Sequence, residues 1–355
     1  MNKFEHGGNI YNDNGLAESW LDMSANINPL GMSSAVKSAI INNIEGLVHY
    51  PDPTARVLKS AISYRYKINF ENIITLNGAA EFFYLFFNTI KPKRVLIIVP
   101  SFSDYERAAR SAGCDVVYFF VRAEDNFKVD LDRLIKIIKN ENIDCVILGS
   151  PNNPTSNFLL SISDIIQLTK FVEYVVIDES FIDFIYADVS VRQLIGTYPN
   201  LITVQSMTKF YALPGLRLGF AVADKSLIER LENCKDVWNV NYLAQKAGVA
   251  ALNDEEFFNK TCSWINLERP YVTERLQRIK NIKIFNPAVN FVLIKINDCQ
   301  TANELLNKMR QHKILLRSCA NFAGLDASYI RMAIRSRTDN DCVINLWIDL
   351  MDKIK

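Results

Sequence analysis

The chain has few histidines, no paired cysteines, almost no net charge and no long apolar run, and each of these absences removes a class of function. Three histidines and seven scattered cysteines, with no Cys-x-x-Cys pair, leave no spacing for a structural zinc site or a disulfide frame. Most of the thiols are therefore expected in core or half-buried positions. Forty Lys+Arg stand against 39 Asp+Glu, for a net charge of +1, so no overall field recruits nucleic acid or an anionic membrane and any anion site must be local. No apolar run reaches the roughly 18 residues of a membrane span, and the segment Met1 to His6 lacks the apolar core of a signal peptide. The expectation is a cytoplasmic protein. Gly-x-Gly-x-x-Gly and Walker sequences are missing, which disfavours a nucleotide-binding α/β protein. There is no internal repeat, low-complexity tract or Pro/Gly-rich linker.

What is present is ordinary in bulk and specific in detail. With 355 residues, 49% hydrophobic and 22% charged, the chain can bury one large domain and a smaller one. Continuous apolar runs at Arg94–Val99, Asp144–Leu148, Tyr174–Ile177, Leu201–Val204 and Leu216–Val222 alternate with helical patterns. Runs of that kind predict strands covered on both faces of a mostly parallel sheet, an α/β domain. From about residue 246 the pattern changes. A polar helical stretch through Arg278 precedes strand-like Asn290–Lys295, a helix from Ala302 to His312, Ile314–Arg317, Tyr329–Arg335 and a closing helix. This predicts a small α+β domain over 246–355, a large domain over 41–245, and an arm over 1–40 that joins the small domain because it is too short to bury a core alone.

The chemistry-bearing residues fall at the predicted strand ends, where ligands of parallel sheets collect. Ser206-Met207-Thr208-Lys209 follows one apolar run, and Arg217 lies eight positions on in Pro214-Gly215-Leu216-Arg217-Leu218-Gly219. A lysine at the end of a buried strand, flanked by hydroxyls and followed by a fixed arginine, is what an enzyme needs to hold pyridoxal phosphate as a Schiff base. Asp178 ends another run and could pair with the pyridine nitrogen. Asn153, before Pro154, offers an amide to the phenolic oxygen, and Phe102, after a strand-ending proline, offers a stacking face. Gly78, Ala79 and Ala80 open a helical stretch whose backbone amides, with Ser206, Thr208 and Arg217, could grip a phosphate. Taken singly, each has a plainer reading: a helix cap for Asp178, a turn for Asn153, a helix start for Gly78, a core ring for Phe102. The weight lies in their joint occurrence.

Together Asn153, Asp178, Lys209 and Arg217, at intervals of 25, 31 and 8 residues, resemble the pyridoxal-phosphate aminotransferase superfamily of fold type I over nearly the whole chain. Within it the chain is similar to histidinol-phosphate aminotransferases and, more closely, to the L-threonine-O-3-phosphate decarboxylases of cobalamin biosynthesis. The segments carrying that second likeness are His6-Gly7-Gly8-Asn9, Ser24 through Gly31, and Leu316 through Phe322 followed by Tyr329 through Ser336. The resemblance implies pyridoxal 5'-phosphate as cofactor and a phosphoamino acid, of L-threonine or L-serine, as substrate. It implies that Arg331 and Asn26 hold one anionic end of that substrate while Arg317 and His6 hold the other, with Arg335 in the same run. Tyr50, in His49-Tyr50-Pro51, resembles an element that reaches the cofactor phosphate from the second subunit, which implies a homodimer with shared sites.

Four positions depart from the family pattern. Ser156 stands where Gly is usual, Ala79 and Ala80 stand where relatives present a hydroxyl or acid, and Phe181 stands where many aminotransferases have Tyr. The alternative reading is an aminotransferase of the histidinol-phosphate type. A pyridoxal-phosphate-binding regulator would carry a DNA-binding module, for which 355 residues leave no room.

Overall fold

In the computed structural model, which describes residues 6–185 and 189–351, a seven-stranded sheet forms the centre of the molecule. Its strands are β1 (Ile73–Leu76), β2 (Arg94–Val99), β3 (Asp115–Phe120), β4 (Cys145–Gly149), β5 (Tyr174–Asp178), β6 (Leu201–Ser206) and β7 (Gly219–Val222). They lie in the order β1-β7-β6-β5-β4-β2-β3. All neighbours are parallel except β7, which runs antiparallel to β1 and β6. This is the α/β class that the continuous apolar runs predict. The residues outside the described range include the outer ends of the 1–40 and 246–355 segments.

Side chains alternate across each strand, and here both faces are covered. In β2, Leu96 and Ile98 enter a core shared with the C-terminal half of the chain, whereas Val95, Ile97 and Val99 pack beneath helices Ala79–Ile90, Asp104–Ser111 and Lys225–Glu232. A sheet sandwiched in this way leaves only its strand ends open, so the loops there carry the chemistry.

The C-terminal part has a four-stranded antiparallel sheet: β8 (Ile282–Phe285), β9 (Phe291–Ile296), β10 (Arg317–Ser318) and β11 (Tyr329–Ala333), in the order β10-β11-β9-β8. Helices Cys299–Gln311 and Arg337–Met351 cover it, with Trp347 fully buried. Leu21 and Asp22 pair in parallel with Ile314 and Leu315, and the Ala333 amide donates to the Met23 carbonyl.

Several sequence expectations are corrected in detail. Leu216 and Arg217 are outside the strand. Pro214–Leu216 is a 3-10 turn and Arg217 adopts a left-handed conformation at φ 57°, so β7 begins only at Gly219. Ile314–Arg317 is not one strand but two short ones that pair with different partners. Three strands, β1, β3 and β8, were not marked by the apolar runs. β8 alternates with lysine and so does not read as a continuous buried run, whereas β3 is apolar from Val116 to Phe120 yet lies largely half-exposed at the sheet edge.

Gly219 sets how closely the Ala79–Ile90 helix approaches the sheet. A Cβ there would stand 2.6 Å from the Ala79 nitrogen and 2.8 Å from the Gln205 carbonyl oxygen, both backbone atoms that cannot rotate away. Gly219→Ala is expected to lose about 1–3 kcal/mol, in line with overpacked cores. Urea denaturation checks it, with a fall in midpoint at unchanged slope.

Candidate active site

One cavity of about 630 Å³ opens at the carboxyl ends of β2, β4, β5 and β6. The sequence-predicted residues of the large domain gather around it: Phe102, Asn153, Asp178, Ser206, Thr208, Lys209 and Arg217, with Ala79 and Ala80 from the helix start. His6 and Asn26 reach it from the arm, and Arg317 and Arg331 from β10 and β11. Gly78 lies just behind Arg217. Its φ of +79° favours glycine, and a Cβ would stand 2.6 Å from Arg217 Nη2. Two expected residues stay outside. Arg335 turns to Asp339, 3.2 Å away on the final helix, because its backbone lies beyond the end of β11. Tyr50 stacks on Trp238 at 4.1 Å and does not line this chain's cavity.

Asp178 closes β5 with its carboxylate 8% exposed. Oδ1 accepts from the Ser180 amide at 2.9 Å and Oδ2 from the Tyr105 hydroxyl at 2.6 Å. Tyr105 is a site residue that sequence reasoning missed. Burial first, and then the Asp178 charge, push its hydroxyl well above the usual phenol range, so it stays a donor. The signal available was its place three residues past Phe102, at the first turn of the helix Asp104–Ser111.

Lys209 Nζ donates to Ser206 Oγ at 3.0 Å, and Ser206 Oγ pairs with Thr208 Oγ1 at 2.7 Å. Burial pulls the Lys209 amine down to about 8. Asp178 opposes the shift, while Arg217 and Arg331 add to it. The ring of Phe181 lies 5.7 Å from Nζ and packs edge-on against Phe291 at 4.9 Å.

Arg317 and Arg331 sit directly opposite each other in the β10–β11 ladder, both 6% exposed. Like charges at such positions repel. Arg331 Nη2 donates to the Ser24 carbonyl at 2.6 Å and Nη1 to Asn153 Oδ1, while its buried Nε has no partner among the described residues. Burial, with a contribution from Arg317, draws its guanidinium down to about 10, the Cys319 thiol opposing. Arg317 donates to the Ser318 carbonyl at 2.7 Å and to Asn321 Oδ1 at 2.6 Å. Asn26 Oδ1, also buried, likewise has no partner among the described residues. His6 Nε2 lies 3.3 Å from Asp104 Oδ1, with its ring tilted over Phe102 at 5.3 Å.

This arrangement offers an amine of lowered basicity, a buried carboxylate, a hydroxyl pair beside a helix N-terminus, and two guanidiniums facing the same space. The amine can be tested alone. The rate at which Lys209 is captured by a small aldehyde, trapped with borohydride and read by peptide mass spectrometry, is expected to reach half its plateau near pH 8. An exposed lysine does so near 10.4. Because Asp178 raises this value, Asp178→Asn moves the midpoint lower still. A midpoint near 10 in the folded protein would refute the electrostatic account.

Known proteins carry the same framework. A Caldanaerobacter subterraneus protein bearing the threonine-phosphate decarboxylase name is 37% identical over 350 residues, 97% of this chain and 93% of its own length. A threonine-phosphate decarboxylase of Salmonella typhimurium is 33% identical over 347 residues, 95% of this chain and 93% of its own. Among solved structures, a histidinol-phosphate aminotransferase from Clostridium acetobutylicum superposes with a TM-score of 0.87 at 31% identity, covering 94% of this chain and 99% of that one. The aminotransferase class I and II family matches residues 18–345, and with that span matched and these relatives aligned end to end, the chain belongs to that family.

Proposed function

We propose that the protein is a pyridoxal-phosphate-dependent decarboxylase of an L-amino-acid O-phosphate, L-threonine O-3-phosphate or L-serine O-phosphate. The observation that carries this reading is the buried Arg317–Arg331 pair. Two guanidiniums buried in the wall of one cavity call for anions. A phosphoamino acid brings a carboxylate and a phosphate in one molecule. Histidinol phosphate has one anionic end, and leaves the second arginine to an acceptor's carboxylate. That aminotransferase reading draws its support from the structural likeness to the Clostridium enzyme.

The cavity fits the cofactor on its own chemistry. Asp178, held by Tyr105 and Ser180, would keep a ring N–H paired. Asn153 would face the phenolic oxygen and Phe102 the ring. Ser206, Thr208, Arg217 and the start of the Ala79–Ile90 helix would hold the phosphate. When bound, pyridoxal 5'-phosphate supplies an electron sink for the pair left at Cα when a bond there breaks.

The chain's own residues decide which bond that is. Arg331 bonds Asn153 and lines the cavity together with Lys209, so it would take the group attached directly to Cα, the carboxylate, with its buried Nε as a further donor. Arg317 and His6 stand where this cavity meets an adjoining hollow that also contains Arg310, and they would take the phosphate. Two clamps would fix the substrate's rotation and so set which bond at Cα breaks, with the carboxylate held by Arg331 as the group that would leave as CO2. Lys209 Nζ then delivers a proton to Cα, which leaves (R)-1-amino-2-propanol phosphate or ethanolamine phosphate. Phe83, Phe102, Phe181 and Phe322 wall the cavity against water.

A homodimer belongs to the same proposal. Val48, Tyr50 and Trp238 are exposed, Val48 by 81% and Tyr50 by 75%, with the Tyr50 and Trp238 rings stacked at 4.1 Å, and a second copy of the chain would cover this face. Tyr50 would then reach the partner's cofactor phosphate. Among the described residues no helix is long and apolar enough to cross a membrane.

Three measurements test this reading. Purified protein with cofactor should release CO2 and an amine from a phosphoamino acid without any amino acceptor, whereas a keto product formed only with 2-oxoglutarate would sink the decarboxylase assignment. Arg317→Met should weaken use of the phosphoamino acid by about 2 kcal/mol or more, roughly thirtyfold in kcat/KM. In sedimentation, the wild type should run as a dimer and Val48→Glu should shift it toward monomer with weaker cofactor retention.

A further inference from the structure

On the side of the sheet away from the cavity lies a buried polar network with no part in the chemistry above. Alternation along a strand turns successive side chains to opposite faces. Asp178 and Ser206 therefore look into the cavity, while their neighbours Glu179 and Gln205 look away from it. Glu179 is 2% exposed. Its Oε1 accepts from the Val191 amide at 2.8 Å, and its Oε2 accepts from Ser190 Oγ at 2.6 Å and lies 3.3 Å from Arg192 Nη2. Arg192, 5% exposed, lies over the Tyr66 ring at 4.4 Å. The Tyr66 hydroxyl donates to Asp183 Oδ2 at 2.8 Å, and Gln205 Nε2 donates to the same oxygen at 2.5 Å. Tyr211, two residues past Lys209, joins the network through the Tyr66 hydroxyl at 3.3 Å.

The network thus grips three points of chain, each one or two residues from a cavity group: Glu179 beside Asp178, Gln205 beside Ser206, and Tyr211 beyond Lys209. Burying a carboxylate and a guanidinium adds little net stability over apolar packing, so stability alone does not account for it. Fixing register is the attested use of such groups. We propose that the Glu179–Arg192 pair and its partners form a positioning frame that sets the distance between Asp178 and Lys209 from behind the sheet. The inference rests on the reading of those two residues as the working groups of the site, and none of the frame residues Glu179, Ser190 and Arg192 touches the cavity.

The test uses Glu179→Gln, which keeps shape and removes charge, with Glu179→Asp as the conservative comparison and Ser190→Ala as a milder variant that keeps the ion pair. Three quantities are read: the thermal midpoint of the apoprotein, the pH midpoint of aldehyde capture at Lys209, and the dissociation constant for pyridoxal phosphate. Loosening the frame lets Asp178 withdraw, so in Glu179→Gln the capture midpoint should fall by about half a unit, a roughly threefold rise in neutral amine at fixed pH. Cofactor affinity should drop about tenfold. Glu179→Asp should restore part of both, and Ser190→Ala should move both in the same direction by less. If Glu179→Gln does not fold, the same judgement falls on Ser190→Ala. A folded variant with lowered thermal midpoint but an unchanged or raised capture midpoint and wild-type affinity overturns the proposal, since the pair is then merely structural. Should wild-type protein bind no cofactor while its capture midpoint still falls in the variant, the frame stands and the proposed function fails.

Discussion

Two buried guanidiniums face each other across adjacent strands, and much of the molecule is arranged to tolerate them. Arg317 and Arg331 occupy one register position of the β10–β11 ladder. At the effective dielectric of a protein interior, two like charges a few ångströms apart repel by a few kcal/mol. The chain answers with neutral oxygens: the Ser24 and Ser318 carbonyls and the side-chain amides of Asn153 and Asn321. These acceptors are neutral, so they soften the repulsion without adding an opposite charge. The acceptors also tie parts together. Ser24 belongs to the arm, Asn153 to the β4–β5 connection and Arg331 to the small sheet, so the clamp itself joins distant segments.

The opposite wall follows from strand geometry. Parallel strands β4, β5 and β6 end side by side, which puts Asp178 opposite Val204 and brings Ser206 and Lys209 just beyond it without any special loop. Antiparallel β7 then returns the chain past β6, and this turn carries Arg217 to the start of the Ala79–Ile90 helix. The hydroxyls, the arginine and the helix start therefore meet because a strand reverses direction, and Gly219 permits the approach by lacking a side chain. One cation, Lys209, is made less basic by burial and two arginines, while Asp178 opposes the shift. Weakening either side of that balance changes the amine's protonation near neutral pH.

Most of the large-domain site could be read from the sequence because its residues terminate apolar runs: Asp178 ends one, and Ser206 to Lys209 follow another. The small-domain half was legible only through family likeness. Arg317 and Arg331 are fourteen positions apart, and nothing in their spacing announces that a turn will place them face to face. Arg335 shows the limit. It shares the run with Arg331, but lies two residues beyond the end of β11, where its side chain meets Asp339 and never the cavity. Tyr105 and the Glu179–Arg192 pair were silent for a different reason. Each sits in a helix or turn whose sequence says only buried and polar, and their roles come from contacts 73 and 13 positions away in the chain.

Two non-glycine residues near the site adopt left-handed backbone conformations, Ser156 at φ 60° and Arg217 at φ 57°. Such a conformation costs about 1–2 kcal/mol for an L-residue. For Ser156 the compensation is visible. Its carbonyl accepts from the Ala288 amide at 2.7 Å and its hydroxyl from the Val289 amide at 3.4 Å, and two such bonds contribute about 1 kcal/mol each. Serine thus holds the position where relatives use glycine, and gains a tie to the small domain that glycine lacks. Arg217 has no comparable return inside the protein. Its side chain is exposed, and its hydrogen bond to the Pro214 carbonyl is long at 3.4 Å. The conformation nevertheless presses its guanidinium against Gly78 at a helix N-terminus, beside Ser206 and Thr208. A strained cation aimed at a helix start and two hydroxyls is stabilised only when an anion arrives, which places the missing favourable term on the ligand side of the equilibrium.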